Sequence, residues 1–286
     1  MGKSTHRQMV TTLVGAGNLA TNLGLALRHN GHEVRQVWSR TEGSARELAK
    51  RLNCKWTTDI GRLETVVDVV VFSVKDDALE QVARQIPPTR ALVVHTAGSM
   101  PLSILPQEKA GVLYPMQTFS KTQEVDFSQI PIFIETRQEE DLHTLCQLAE
   151  SLSPKVYTLD SKKRRHLHLA AVFACNFTNH CYTLAADLLA EDGIPFDVML
   201  PLIDETAQKV HRLSPREAQT GPAVRWDEKV MERQMAMLPS EREREIYRLM
   251  SQSIREKTIT KRCATKNETL RYENEKEKEK GLERTI

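Results

Sequence analysis

Residues Met9 to Val14 form an apolar, β-branched run that ends in Gly15-Ala16-Gly17-Asn18-Leu19-Ala20 and opens into the helical apolar spacing Leu23, Leu25, Ala26, Leu27. This order of strand, G-x-G-x-x-A turn and helix predicts the first unit of a Rossmann-type dinucleotide-binding domain. Each small residue has a physical task. Gly15 permits the tight turn, Gly17 clears the backbone for a pyrophosphate, and Ala20 lets the helix lie close on its strand. The helix start at Asn18 and Leu19 then offers unpaired N–H groups and a partial positive charge to phosphates.

The end of the second strand, Glu33 to Trp38, selects between nicotinamide cofactors. An NAD site usually places a carboxylate there, roughly 20 residues past the glycines, to hold the ribose 2′-hydroxyl. This chain has Ser39-Arg40-Thr41. A hydroxyl and a guanidinium suit a 2′-phosphate, because Arg binds phosphate through charge-assisted, often bidentate hydrogen bonds. The expected cofactor is therefore NADP, with the nearby Glu42 arguing the other way.

With 286 residues, a formal net charge of +2 and 40% hydrophobic residues, the chain has room for two domains and no electrostatic case for nucleic acid or membrane. The polar stretch Met1 to Gln8 and the glycine-broken run after it read as neither a signal peptide nor a membrane span. Cys54, Cys146, Cys175, Cys181 and Cys263 form no C-x-x-C pair and no metal-ligand spacing. A cytoplasmic protein with free thiols, no metal and a small-molecule substrate is expected.

Ser44 to Leu52 reads as a helix, Trp56 to Thr58 as a short strand, and Val66 to Val74 as a strand buried on both faces. Ser73, Val74 and Lys75 then lie at a strand's carboxyl end, in the crevice where such folds bind ligands. Asp76 reads equally as a ribose contact beside Lys75 or, with Asp77, as a cap on the following helix. The strand Ala91 to His95 leads into Thr96-Ala97-Gly98-Ser99, where His95 reads either as a proton donor or as a hydrogen-bonded structural histidine. Gly111 to Tyr114 precedes a loop whose Gln117 and Thr118 are further substrate candidates. Pro131 to Glu135 and Lys155 to Leu159, flanking a helix from Glu139 to Leu152, complete the sheet.

Strand-type runs stop near Asp160. A helix from Ser161 to Glu191 would span roughly 45 Å, which suits one that joins domains or subunits. His168, Val172, Cys175 and Asn179 share a stripe on it, with Asn176 and His180 adjoining. These polar groups on an alanine-rich helix read as a pocket lining or as core groups with partners. Phe196 to Leu213 is a second helix. Thr220 stands before Gly221-Pro222, placed to cap the next helix or to bind a ligand at its dipole. Arg225 and Asp227 are spaced to pair, and Met231, Met235, Met237 and Leu238 read as core. Ser240-Glu241-Arg242-Glu243 opens a last helix. The expected division is a Rossmann domain over 1–159, an all-α dimerisation domain over 160–257, and a charged tail, disordered or a solvated helix, over 258–286.

The strings GAGNLATNL, WSRTEGSARELA, VHTAGSMP, YPMQTFS, LHLAAVFACNFTNH, LPLIDETAQKVH and QTGPAVRWD resemble those of bacterial Rossmann-like NADP oxidoreductases with a C-terminal helical domain of unknown function. The resemblance runs to about Arg255. More distantly the chain is similar to pyrroline-5-carboxylate reductases, β-hydroxyacid dehydrogenases and deazaflavin-dependent NADP oxidoreductases. That likeness implies a homodimer through helices like the C-terminal domain of 6-phosphogluconate dehydrogenase, with an active site between the domains. One departure stands out: hydroxyacid dehydrogenases carry a catalytic Lys with an Asn one turn later, and Lys162 and Lys163 have no such Asn. The expected activity is hydride transfer between NADPH and a small carbonyl or imine. His168 or His95 is the expected acid, and Asn176, Asn179 and Thr220 the groups that orient substrate. The alternative is a non-catalytic NADP-binding sensor.

Overall fold

The protein is seen as a computed structural model that describes residues 7–259. Its N-terminal part alternates β1 (Val10–Val14), α1 (Asn18–His29), β2 (Glu33–Trp38), α2 (Glu42–Leu52) and β3 (Lys55–Thr57). It continues through β4 (Val69–Phe72), α3 (Asp76–Ala83), β5 (Leu92–His95), β6 (Ala110–Pro115), β7 (Ile132–Thr136), α4 (Glu139–Leu152) and β8 (Val156–Thr158). Among the described residues these strands make one eight-stranded sheet in the order β3-β2-β1-β4-β5-β6-β7-β8. The sequence order reverses between β1 and β4, which is the switch point where doubly wound folds bind their ligands.

Burial alternates along the central strands. Val69 and Val71 join one core cluster with Leu13, Leu23 and Leu27, while Val70 and Phe72 join the other with Val14, Leu79 and Val93. Both faces of the sheet are therefore covered, as the continuous apolar run predicts. The strand is shorter than that run. Its first residue, Val69, stands opposite Thr11, and Asp68 just before it exchanges bonds with Val10 at the start of β1, donating its N–H to the Val10 carbonyl at 2.9 Å and accepting the Val10 N–H on its carboxylate at 2.8 Å; Val66, farther back, is 88% exposed. All neighbouring pairs are parallel except β6 and β7. Residues 116–131 between those two contain only the 3-10 turn Phe127–Gln129. Without a crossover helix, the chain returns beside β6 in the opposite sense.

The helical half begins with α5 (Ser161–Ala171), capped by the Asp160 carboxylate accepting from the Lys163 N–H at 2.8 Å. A π-helical segment, Val172–Phe177, follows without a break and leads into α6 (Thr178–Glu191). Residues through Thr178 form one compact unit and those from Asn179 another. This boundary lies beyond residue 159, where strand-type runs end, because the start of α5 is tied to the sheet through Arg164, described below.

In the second unit a 3-10 turn, Phe196–Met199, leads into α7 (Leu200–Arg212), then α8 (Pro215–Ala218), α9 (Pro222–Arg225), α10 (Glu228–Ala236) and a helix, α11, over 241–259. A reciprocal pair of hydrogen bonds between Ser240 and Glu243 opens α11. Among the described residues of this unit Ala223 and Met231 are buried, and Met237 is 76% exposed, so the methionines do not form a common core. Asp227 makes no ion pair with Arg225 among the described residues; its carboxylate caps α10 by accepting from Val230 N–H. The charged tail beyond residue 259 and Cys263 lie outside the described residues.

Candidate cofactor and active site

A cleft of about 320 Å³ opens over the first turn of the sheet, lined among others by Gly15, Gly17, Ser39, Arg40, Ser73 and Lys75. Val74 lines it too, so seven of the residues chosen from sequence meet in one place. The turn is built by sterics. Gly15 has φ +128°, donates its N–H to the Trp38 carbonyl at 2.8 Å, and lies so close to β4 that a Cβ would stand 2.1 Å from the Ser73 oxygen. A Cβ on Gly17 would meet nothing within 4 Å. Space before that residue is open, as a pyrophosphate requires.

Asn18 and Leu19 begin α1 beside the cleft and are not among its lining residues. The first turn of α1 carries no acidic residue, so its N-terminal N–H groups and partial positive charge face anions uncompensated. Glu42 starts α2 and does not line the cleft. Lys121, unforeseen from sequence, does, and its Nζ lies 3.8 Å from Glu47. Arg40 and Lys121 with the hydroxyls of Ser39, Thr41 and Ser44 form a donor set suited to a phosphate, so the residues present fit NADP. Asp76 makes no capping bond to the backbone; Lys75 is the N-cap residue of α3, and Asp76 accepts from the Ser99 hydroxyl instead.

A second cluster forms along the same edge of the sheet, at β6, two strands beyond β4. Tyr114, near the end of β6, places its hydroxyl 3.0 Å from Nδ1 of His168 on α5. The two rings meet edge to face at 72° with centroids 5.9 Å apart. Gly98, in the loop after β5, packs beneath them: a Cβ there would lie 2.6 Å from His168 Nδ1 and 2.8 Å from Tyr114 Cζ. One turn before His168, the wholly buried Arg164 pairs with Glu135 of β7 and donates to the Met100 carbonyl and the Ser161 hydroxyl. Burial pushes the Tyr114 hydroxyl above its ordinary pKa, and the Arg164 charge works against that rise.

His95 is elsewhere in character. It is fully buried, its Nδ1 accepts from the Ala97 N–H at 3.2 Å, and its Nε2, near the Pro101 carbonyl, makes no well-formed hydrogen bond among the described residues. Burial, helped by Arg164, lowers its pKa to about 3, with the Pro101 carbonyl opposing. Of the two readings of His95, this neutral, enclosed imidazole suits the structural histidine better than the acid. Thr220 does not cap α9, because Gly221 at φ +106° is the N-cap residue and the Thr220 carbonyl accepts from Gln219. Asn176 is exposed within the π segment; Asn179, also exposed, belongs to the second unit. A straight helical wheel cannot put Asn179 on the His168 stripe, since the π turns advance less than 100° per residue. Gln117 and Thr118 are exposed and bond to each other. Among the described residues no three His, Cys, Asp or Glu side chains gather as a metal site would require, and no helix is long and apolar enough to cross a membrane.

Tyr114 was legible by the same strand-end rule that selected Ser73 and His95. Lys121, Gly98 and Arg164 had no local signal, since each matters only through partners distant in sequence.

Residues 10–98 match the family described as "NADP oxidoreductase coenzyme F420-dependent", and residues 130–254 match a domain family of unknown function, DUF2520. None of the curated proteins matches the chain. Among solved structures it is similar to the "putative NADP oxidoreductase" BF3122 from Bacteroides fragilis, at 49% identity and TM-score 0.81, covering 87% of this chain and 98% of that one. An imine reductase from Myxococcus stipitatus in complex with NADP+ shares the fold at 18% identity and TM-score 0.61, over 86% and 92% of the two chains. A 1-pyrroline-5-carboxylate reductase from Streptococcus pyogenes does so at 17% identity and TM-score 0.61, over 89% and 98%. With nearly the full length of the Bacteroides protein matched at almost half of its positions, this chain belongs to the same family of Rossmann-type NADP oxidoreductases, whose second half is the domain of unknown function.

Proposed function

We propose that this chain is an NADPH-dependent reductase acting on a small carbonyl or imine. The observation that carries the reading is the single cleft in which Gly15, Gly17, Ser39, Arg40 and Ser73 meet. Gly17 and the start of α1 hold the pyrophosphate, while Ser39 and Arg40 hold the 2′-phosphate. When bound, NADPH supplies the hydride. The acceptor is a carbon doubly bonded to oxygen or nitrogen, because such a group needs the proton that His168 can deliver as hydride arrives. Asn176, eight residues after His168 in the same unit, is the polar group we assign to orienting substrate.

The protein acts as a homodimer in this reading. Ile194, Val198, Leu200, Leu202, Val210 and Leu213 in the second unit are each between 42% and 58% exposed, apolar surface of the kind a second copy would cover. The four described cysteines are free, in keeping with a cytoplasmic setting.

NADPH and NADH titrated into the protein test the cofactor. Arg40→Ala should weaken NADPH by about ten- to a hundredfold, the worth of a charge-assisted hydrogen bond, and leave NADH within about twofold. Equal loss for both refutes the 2′-phosphate assignment. NADPH oxidation over a panel of cyclic imines, aldehydes and ketones tests the reaction. Tight NADPH binding with no turnover on any compound overturns it in favour of an NADP-binding sensor, a reading that the missing Lys–Asn pair supports.

A further inference from the structure

We propose that Tyr114 is a positioning residue that fixes the tautomer of His168 so that Nε2 carries the hydrogen delivered to substrate, and that Gly98 exists to leave room for this pair. The inference rests on the proposed reductase reading for the destination of the proton, and on geometry for the rest. The Tyr114 hydroxyl lies 3.0 Å from Nδ1. An imidazole nitrogen is a far stronger base than a phenol oxygen, so in a neutral pair the phenol donates and Nδ1 accepts. The remaining imidazole hydrogen is then on Nε2.

Three elements converge to hold that one bond. Tyr114 is 8% exposed, and its ring packs tilted against Phe133 with centroids 6.3 Å apart, so the sheet sets its place. His168 is set by the helix, which Arg164 fastens to Glu135, Ser161 and the Met100 carbonyl. The loop after β5 approaches both rings closely enough that any side chain at Gly98 would displace one of them, its Cβ falling 2.6 Å from Nδ1 itself. Burial keeps the hydroxyl protonated and hence a donor. As Nε2 gives its proton to the substrate heteroatom, the Tyr114 proton passes to Nδ1. The phenolate left behind faces the Arg164 charge, and water later returns its proton.

The test is nitrogen NMR on the full chain labelled with 15N-histidine, at about pH 8.5, where an ordinary imidazole is neutral. His168→Asn identifies the resonances. Wild-type protein should show the pattern of an Nε2-protonated ring, and Tyr114→Phe should move it to the averaged shifts of mixed tautomers. NADPH affinity in that variant should stay within about twofold, and turnover of any accepted imine or ketone should fall about tenfold or more. Gly98→Ala should produce the same change at His168. An Nδ1-protonated ring in the wild type, or unchanged His168 shifts in a folded Tyr114→Phe protein, overturns the proposal. The wild-type spectrum decides even where a variant fails to fold. Absence of turnover on every compound, with the expected tautomer present, sinks the reductase reading and leaves the hydrogen-bond assignment standing.

Discussion

A methyl group on Gly15 would collide with the Ser73 carbonyl, whereas one on Gly17 would project into open space from a backbone at φ −83° that any residue adopts. The two glycines of one motif therefore answer to different forces. Gly15→Ala should cost roughly 1–3 kcal/mol from its positive φ alone, with the clash in addition, as read by urea denaturation. Gly17→Ala should change stability by less than about 1 kcal/mol yet weaken NADPH at least about tenfold, as the methyl occupies the pyrophosphate's place. His95 supplies a prediction about pH. It is neutral in the fold down to about 3, while the unfolded chain binds a proton near the ordinary value of 6.5. Stability must therefore fall as pH drops below about 6.5, by about 2 kcal/mol at pH 5, and His95→Asn should flatten that slope. Individual residues were legible where local chemistry dictates them, as in Gly15 and Arg40. They were illegible where burial decides, as in His95, whose strand-end position is the same whether it faces a ligand or the core.

Elements were read more reliably than their edges. β2 and α4 begin and end where the pattern places them, because Gly31 at φ +84° and the Pro131-to-Glu135 run punctuate them sharply. β4 is shorter than its apolar run because pairing with β1, and not hydrophobicity, ends a strand. The antiparallel turn of β7 and the π segment Val172–Phe177 carry no periodic signature: both are set by how neighbours pack. The Ser240–Glu243 pair was legible, being a local motif with a fixed spacing. Ser240→Ala removes the side-chain acceptor for the Glu243 N–H and should lower the stability of the second unit by about 1 kcal/mol in urea denaturation.

At the scale of the whole chain, the exposed apolar residues of the second unit matter more than any single contact. If they meet in a homodimer, Leu202→Glu should raise the dimer dissociation constant by at least about tenfold, because one buried leucine contributes about 1.5–3 kcal/mol. Sedimentation of both proteins over a range of concentrations measures this, and identical profiles would refute the assignment. The two-part organisation was visible in the loss of strand-type runs after Asp160. The compact boundary at Thr178 was not, since it falls where the π segment runs into α6 without a break in helical structure. The eight-stranded sheet has one further consequence. Its outermost strands, β3 and β8, are only three residues each, Lys55–Thr57 and Val156–Thr158. So short a row of open N–H and C=O groups is a poor template for a strand from another molecule. Copies of this protein are thus steered away from edge-to-edge pairing through the sheet.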